Sequence, residues 1–203
     1  TPDPFATVGA YVTPYSSYRS TFDTPALPAT CKASNLNLKK GSFTLEPGRY
    51  CGGINIQAGA TVTLQAGIYT IDNGIFNVQA GASITGNNVL LYFRGADAHM
   101  TIIGGGTVNL KGRKTDNSYA GFLAIAAPDA WRGLDSNIQG GGSFTMVGMI
   151  YMPTQRIIIT GNGDSNASSD FFGVIAKSIQ FRGNGYFYFK PYNASSGMPD
   201  IMP

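Results

Sequence analysis

Short segments with alternating apolar and polar residues recur along the middle of the chain. Each begins with Lys-Gly, Gly-Ala or Gly-Gly and continues with Ser or Thr, an apolar residue, Thr or Asn and, in most copies, a second apolar residue. Side chains of a strand point alternately to opposite faces, so each copy predicts a strand with one buried and one solvent face. The copies span residues 40–45, 59–64, 81–86, 105–110 and 141–146.

The spacing of these copies is roughly 20 residues, apart from one longer interval, which is the period of a solenoid. Other apolar stretches of four to six residues lie between them, separated by Gly and Asn turns that leave no room for crossover helices. The pattern predicts an all-β fold, a right-handed parallel β-helix with short strands. Residues 111–119 and 129–139 are predicted to be inserted loops. One interior row would contain Phe43, Val62, Ile84, Val108 and Phe144.

The repeat also sets the predicted domain limits. The β-helix is expected over residues 31–190, and residues 191–203 form a C-terminal tail. Residues 1–30 are rich in Pro and aromatic side chains and lack the repeat, so we expect an irregular N-terminal cover or lead-in. The aromatic stretch 186–192 is either a C-terminal cover or a last, aromatic-rich coil.

The outward positions of the repeat carry hydroxyl and amide side chains, which form a ladder on one face and are candidate binding residues. The second inserted loop contains Trp131 and Arg132, which are a plausible contact point. Equally, Trp131 could fold back over an apolar coil face. The candidate ladder residues are Thr61, Thr63, Ser83, Thr85, Thr107 and Asn109.

Composition agrees with stacked coils. Charged residues are only 12% of the chain and Gly accounts for 27 of 203 residues. Stacked like charges repel one another, whereas Thr, Ser and Asn ladders can form hydrogen bonds. The net charge of +3 is too small to favour nucleic-acid binding. The sequence shows neither an apolar stretch of membrane-spanning length nor a signal peptide, so any anchor would lie upstream.

The titratable residues form no recognisable catalytic group. Nearly all of the eleven Asp and Glu residues fall in different phases of the repeat, and His99 is expected in a surface loop beside Asp97. The spacing of Asn162, Asp164 and Asn166 resembles a calcium loop but lacks its Gly and final Glu, which favours a polar loop. We therefore expect no metal, no cofactor and no catalysis. The alternative is a polysaccharide-active enzyme in which coil stacking assembles Asp97, His99, Asp164 or Asp170.

The two cysteines, Cys31 and Cys51, are too few to complete a zinc site with the single His. A disulfide between them would indicate an oxidising compartment. Two unrelated buried thiols in a reducing compartment are the alternative.

One part of the chain resembles a known family. The phrase Pro-Gly-Arg-Tyr-Cys-Gly-Gly at 47–53, the repeats at 59–64 and 82–86, and Ile-Thr-Gly-Asn at 159–162 are similar to the C-terminal region of TadG-like proteins of bacterial tight-adherence (Flp) pili. The resemblance covers about residues 31–185. It implies an upstream membrane anchor, a location in the periplasm or at the cell surface, a family disulfide between Cys31 and Cys51, and no catalytic residues.

The resulting hypothesis is a structural or adhesion module that contacts pilus proteins, other envelope proteins or surface glycans. Membrane association would come only from a segment absent from this chain. An ice-binding solenoid is a further alternative, because such proteins display flat arrays of Ser and Thr. Asn109 interrupts that array here.

Overall fold

The computed structural model describes residues 25–114, 119–130, 133–161 and 172–183. Within them the chain forms thirteen strands and no helix. The strands are β1 (Ala33–Leu38), β2 (Gly41–Leu45), β3 (Gly48–Ile56), β4 (Ala60–Leu64), β5 (Gly67–Val78), β6 (Ser83–Gly86), β7 (Val89–Arg94), β8 (His99–Ile103), β9 (Thr107–Lys111), β10 (Phe122–Ala126), β11 (Asp135–Gln139), β12 (Ser143–Gly161) and β13 (Phe172–Gly183).

The strands wind into a parallel β-solenoid of about six turns, which confirms the predicted fold class. We number its three faces in the order in which the chain passes through them, starting from the strands of the repeat. The first face contains β2, β4, β6, β9 and residues 143–147 of β12. The second face includes β7 and β10, and the third includes β8 and β11. All pairs between coils are parallel.

The interior of the coils contains the rows that the repeat predicted. Phe43 pairs with Val62, Val62 with Ile84, and Ile84 with Val108, which in turn pairs with Phe144. Val62, Ile84 and Val108 are completely buried, whereas Phe43 and Phe144 at the two ends are partly buried against the same core. Period-two alternation therefore placed these side chains correctly.

Several strands are longer than the four to six residues predicted, because they continue around a corner from the second face to the third. At one such corner Gly53 has φ +92°, and a Cβ there would lie 2.2 Å from the carbonyl oxygen of Ile75 in the next coil. Only glycine fits so close an approach with this backbone conformation. The register shift between Cys51 and Gly53 marks the same bend.

Two predicted loops are wrong in part. Residues 135–139, expected within an inserted loop, form β11, and His99, expected in a surface loop, begins β8. The pattern was obscured because one of the two inward positions of β11 holds Ser136, and only the other, Ile138, is apolar. Ser136 is buried in a polar network: its Oγ donates to Gln155 Oε1 (2.7 Å), and Gln155 Nε2 donates to the Ala98 carbonyl (2.8 Å).

A second apolar cluster lies on the outer side of the second face. Leu90 and Tyr92 of β7, Ile125 of β10 and Tyr151 of β12 belong to it, and Tyr119 packs in the same cluster. None of the four strand residues is more than 4% exposed. The outer side of the second face is therefore closed to solvent and is not a free binding surface.

The expected cover at 1–30 is described only from residue 25, and residues 25–32 form no strand. The expected C-terminal cover at 186–192 and the tail at 191–203 lie outside the described residues.

The corner at Gly53 gives a stability prediction. We expect Gly53→Ala to lower the free energy of unfolding by at least about 2 kcal/mol more than Gly133→Ala. Gly133 has nearly the same φ, +88°, but no described atom lies within 4 Å of its Cβ position, so its variant carries only backbone strain. Urea unfolding of both variants makes the comparison. Equal losses would show that the close approach to Ile75 is not what requires glycine.

Cys31 and Cys51 form a disulfide, which attaches the segment before β1 to β3. This confirms the pairing and indicates an oxidising compartment.

Removing this crosslink by the double substitution Cys31→Ser, Cys51→Ser should lower the free energy of unfolding by about 3 kcal/mol, because the open chain gains entropy when unfolded. Chemical denaturation with and without a reducing agent measures the difference. The reductant should act on the wild type and leave the double variant unchanged. A wild type that is insensitive to the reductant would contradict the prediction.

Candidate functional site

The open polar surface of the solenoid is the first face. Its outward side chains form two columns that run along the stack of coils, and paired residues keep their register across all five strands. We call these two columns the hydroxyl ladder. The first column contains Ser42, Thr61, Ser83, Thr107 and Ser143, and the second contains Thr44, Thr63, Thr85, Asn109 and Thr145.

All six candidate ladder residues of the sequence analysis lie on this surface. Thr61, Thr63, Thr107 and Asn109 are exposed, while Ser83 and Thr85 are half-buried. Neighbouring coils are linked by side-chain contacts, because Thr85 Oγ1 donates to Thr63 Oγ1 (3.5 Å) and Ser83 Oγ accepts from the Thr107 backbone N–H (3.3 Å). The hydroxyls are thus held at the coil spacing of ~4.8 Å.

A groove of about 430 Å³ opens at the edge of the ladder, where the first face turns into the second. We call it the corner groove. Thr63, Thr85 and Asn109 of the ladder line it, together with Asn87 and Lys111. Gly86 also lines the groove; it pairs with Leu64 and Leu110 of the adjacent coils, and a Cβ at Gly86 would lie 3.1 Å from the Leu64 Cβ. The sequence showed the missing side chain at Gly86 but not the groove.

A buried tyrosine forms hydrogen bonds to the backbone at the corner between the first and second faces. Tyr69, on β5, is completely buried, and its hydroxyl lies 2.7 Å from the carbonyl oxygen of Leu45 and 2.8 Å from that of Gln65. Burial raises the pKa of the Tyr69 hydroxyl above its usual value, so the group remains a hydrogen-bond donor over the ordinary pH range. Tyr69 thereby connects the corners of two adjacent coils.

The third face presents amides that are already paired with one another. Asn55 Nδ2 donates to Asn37 Oδ1 (3.1 Å), and Asn77 Nδ2 donates to Asn55 Oδ1 (2.8 Å). An amide that bonds to the coil above and the coil below has fewer groups left for a ligand. These bonds favour a structural role for this part of the third face.

A buried charge cluster was missed by sequence analysis. Asp72 is 4% exposed, and its Oδ2 accepts from Arg49 Nε (2.7 Å), while Arg94 Nε lies 3.9 Å from Oδ1. Asp72 pairs with Arg94 across adjacent strands, and Arg49 lies on the coil before. The spacing of Arg49, Asp72 and Arg94 is about one coil, which is the signal that could have revealed the cluster.

The contact between His99 and Asp97 differs from that of a catalytic pair, in which the imidazole would meet the carboxylate. His99 Nδ1 lies 2.8 Å from the backbone carbonyl oxygen of Asp97. The other candidates for the enzyme alternative, Asp164 and Asp170, lie outside the described residues, as do Trp131 and Arg132. In the part of the chain that the structure describes, no group of three His, Cys, Asp or Glu side chains could hold a metal ion.

Comparison with protein-family models, with curated proteins and with solved structures finds no match. The resemblance to TadG-like proteins thus depends on the sequence phrases quoted above and stays a prediction. Among the described residues, no helix has the length and apolar character needed to cross a membrane.

The charge cluster gives a second stability prediction. Asp72→Ala should lower the free energy of unfolding by roughly 2 to 4 kcal/mol, since it leaves two guanidinium groups without their buried carboxylate. Glu46→Gln is the control, because the Glu46 to Lys32 pair is well exposed and should contribute little. Chemical denaturation measures both. An Asp72→Ala protein as stable as the wild type would contradict this role.

Proposed function

We propose that this protein is a non-catalytic, extracytoplasmic structural or adhesion module that acts by contact through its first face. The observation that supports this most directly is the hydroxyl ladder, an open row of uncharged hydrogen-bonding groups held in register over five strands. Of the other faces, the second is covered by apolar packing and the third uses its asparagines internally.

A solenoid suits this task because every coil is supported by its neighbours and the surface is already ordered before a partner arrives. Binding to such a surface loses little conformational entropy. Hydroxyls and amides both donate and accept hydrogen bonds, so the ladder is compatible with a glycan or with a polar protein surface.

The setting that we propose is the bacterial envelope. The disulfide supports a location outside the cytoplasm. Attachment to the membrane through an upstream segment, and association with tight-adherence pili, are supported only by the resemblance to TadG-like proteins. Pilus proteins, other envelope proteins and surface glycans are the expected partners.

The two alternatives have less support from the site. For the enzyme alternative, the described contact of the His99 ring is with the Asp97 backbone carbonyl oxygen, and Asp164 and Asp170 lie outside the described residues. The ice-binding alternative requires a flat, uncharged array, and the corner groove and Lys111 interrupt the first face at its edge.

The proposal is tested by changing the ladder in the organism that encodes the chain. The double substitution Thr61→Lys, Thr107→Lys places two bulky charges on the first face, where both threonines are exposed. We expect surface attachment to fall severalfold, measured as retained cells per area, because the ladder can no longer approach its partner. Electron microscopy counts pili in the same cells.

The control carries the same two charges outside the first face, as Gln57→Lys directly after β3 and Thr101→Lys on the third face, both at half-buried positions. It should attach like the wild type. Unchanged attachment and pilus number in the ladder variant, or an equal loss in the control variant, would contradict contact through the first face.

A further inference from the structure

The corner groove differs from the rest of the first face because it contains a charge. Lys111 is the third outward residue of β9, after Thr107 and Asn109, so its side chain continues the line of the ladder into the groove. Among the described residues, no carboxylate lines the groove and no acidic side chain lies within ion-pair distance of Lys111. Within that part of the chain the ammonium group is unpaired and can bind an anion.

The basic run that follows β9 adds to this positive edge. Arg113 Nη1 donates to the carbonyl oxygen of Asn88 (3.1 Å), and the Lys114 backbone N–H donates to Asn88 Oδ1 (2.9 Å). Asn88 directly follows Asn87, which lines the groove. These bonds hold the backbone of Arg113 and Lys114 beside the groove.

We propose that the corner groove is a subsite for an acidic glycan, in which Lys111 binds the anionic group and Thr63, Thr85, Asn87 and Asn109 bind sugar hydroxyls. The proposal rests on the proposed contact function of the first face and names the ligand class. The groove volume lies within the range of roughly 300 to 1,000 Å³ that is usual for small-ligand sites.

The lining favours a glycan over an acidic peptide or a nucleic acid. Hydroxyl and amide groups recur here at the coil spacing of ~4.8 Å, comparable to the length of a sugar ring, and pair well with a chain that presents hydroxyls at regular intervals. Leu64 and Ala66 supply apolar contact for the ring carbons. The described residues that line the groove provide neither an open strand edge nor an aromatic base-stacking platform.

Calorimetric titration of the purified chain tests the proposal with defined probes. We expect hexagalacturonate to bind and neutral maltohexaose to bind at least fivefold more weakly. Lys111→Gln should weaken hexagalacturonate binding roughly fivefold to tenfold, and Thr85→Val about threefold. Binding of the neutral sugar should change little in Lys111→Gln. Circular dichroism verifies that each variant is folded.

Lys39→Gln is the charge-matched control, because Lys39 is exposed at the opposite edge of the first face. It should bind hexagalacturonate like the wild type. A sulfated hexasaccharide, compared with the uronate, shows whether the site prefers sulfate or carboxylate, and preference for either anionic sugar supports the proposal.

Four results would overturn it: no binding by the wild type, full binding by Lys111→Gln, an equal loss in Lys39→Gln, or tighter binding of a glutamate hexapeptide or a DNA hexamer. These outcomes are separable from failure of the proposed function. If attachment depends on Thr61 and Thr107 while Lys111→Gln binds normally, contact through the ladder stands and the acidic subsite does not.

Discussion

Parallel stacking of coils is the constraint on which the rest of the structure depends. Each residue lies ~4.8 Å from the equivalent residue of the next coil, so a property that recurs in sequence recurs in space. Apolar residues then build a continuous core, as along the row from Phe43 to Phe144. At corners the same stacking brings backbones close together, and Gly53 is required where its α-carbon approaches Ile75.

Stacking also controls where charge can be placed. Asp72 is buried because Arg49 and Arg94, in the coils before and after it, supply the opposite charge at the same corner. Inside the coils, the polar side chains of Ser136 and Gln155 can be buried because they form hydrogen bonds with each other and with the backbone. The low charged fraction of the chain, 12%, follows from the few positions where such compensation is available.

The three faces differ although one repeat produces them all. Apolar packing covers the outer side of the second face, and hydrogen bonds between Asn37, Asn55 and Asn77 connect the third face. Among the described residues, only those of the first face and its corner combine open hydroxyls with a groove and a lysine, Lys111. The proposed contact function therefore concerns one face and its corner, and the solenoid supplies the rigid support.

The sequence by itself determined the parallel β-helix, the interior rows, the outward ladder and the cysteines available for pairing, because period-two alternation and the coil period are local properties of the chain. The tertiary structure decided which face stays open, how Arg49, Asp72 and Arg94 meet, that residues 135–139 form a strand, and that Gly86 and Lys111 share a groove. Those features depend on contacts between coils and across corners. Bulges and turns of unequal length shift the register of those contacts, and the alternation along a single strand does not encode such shifts.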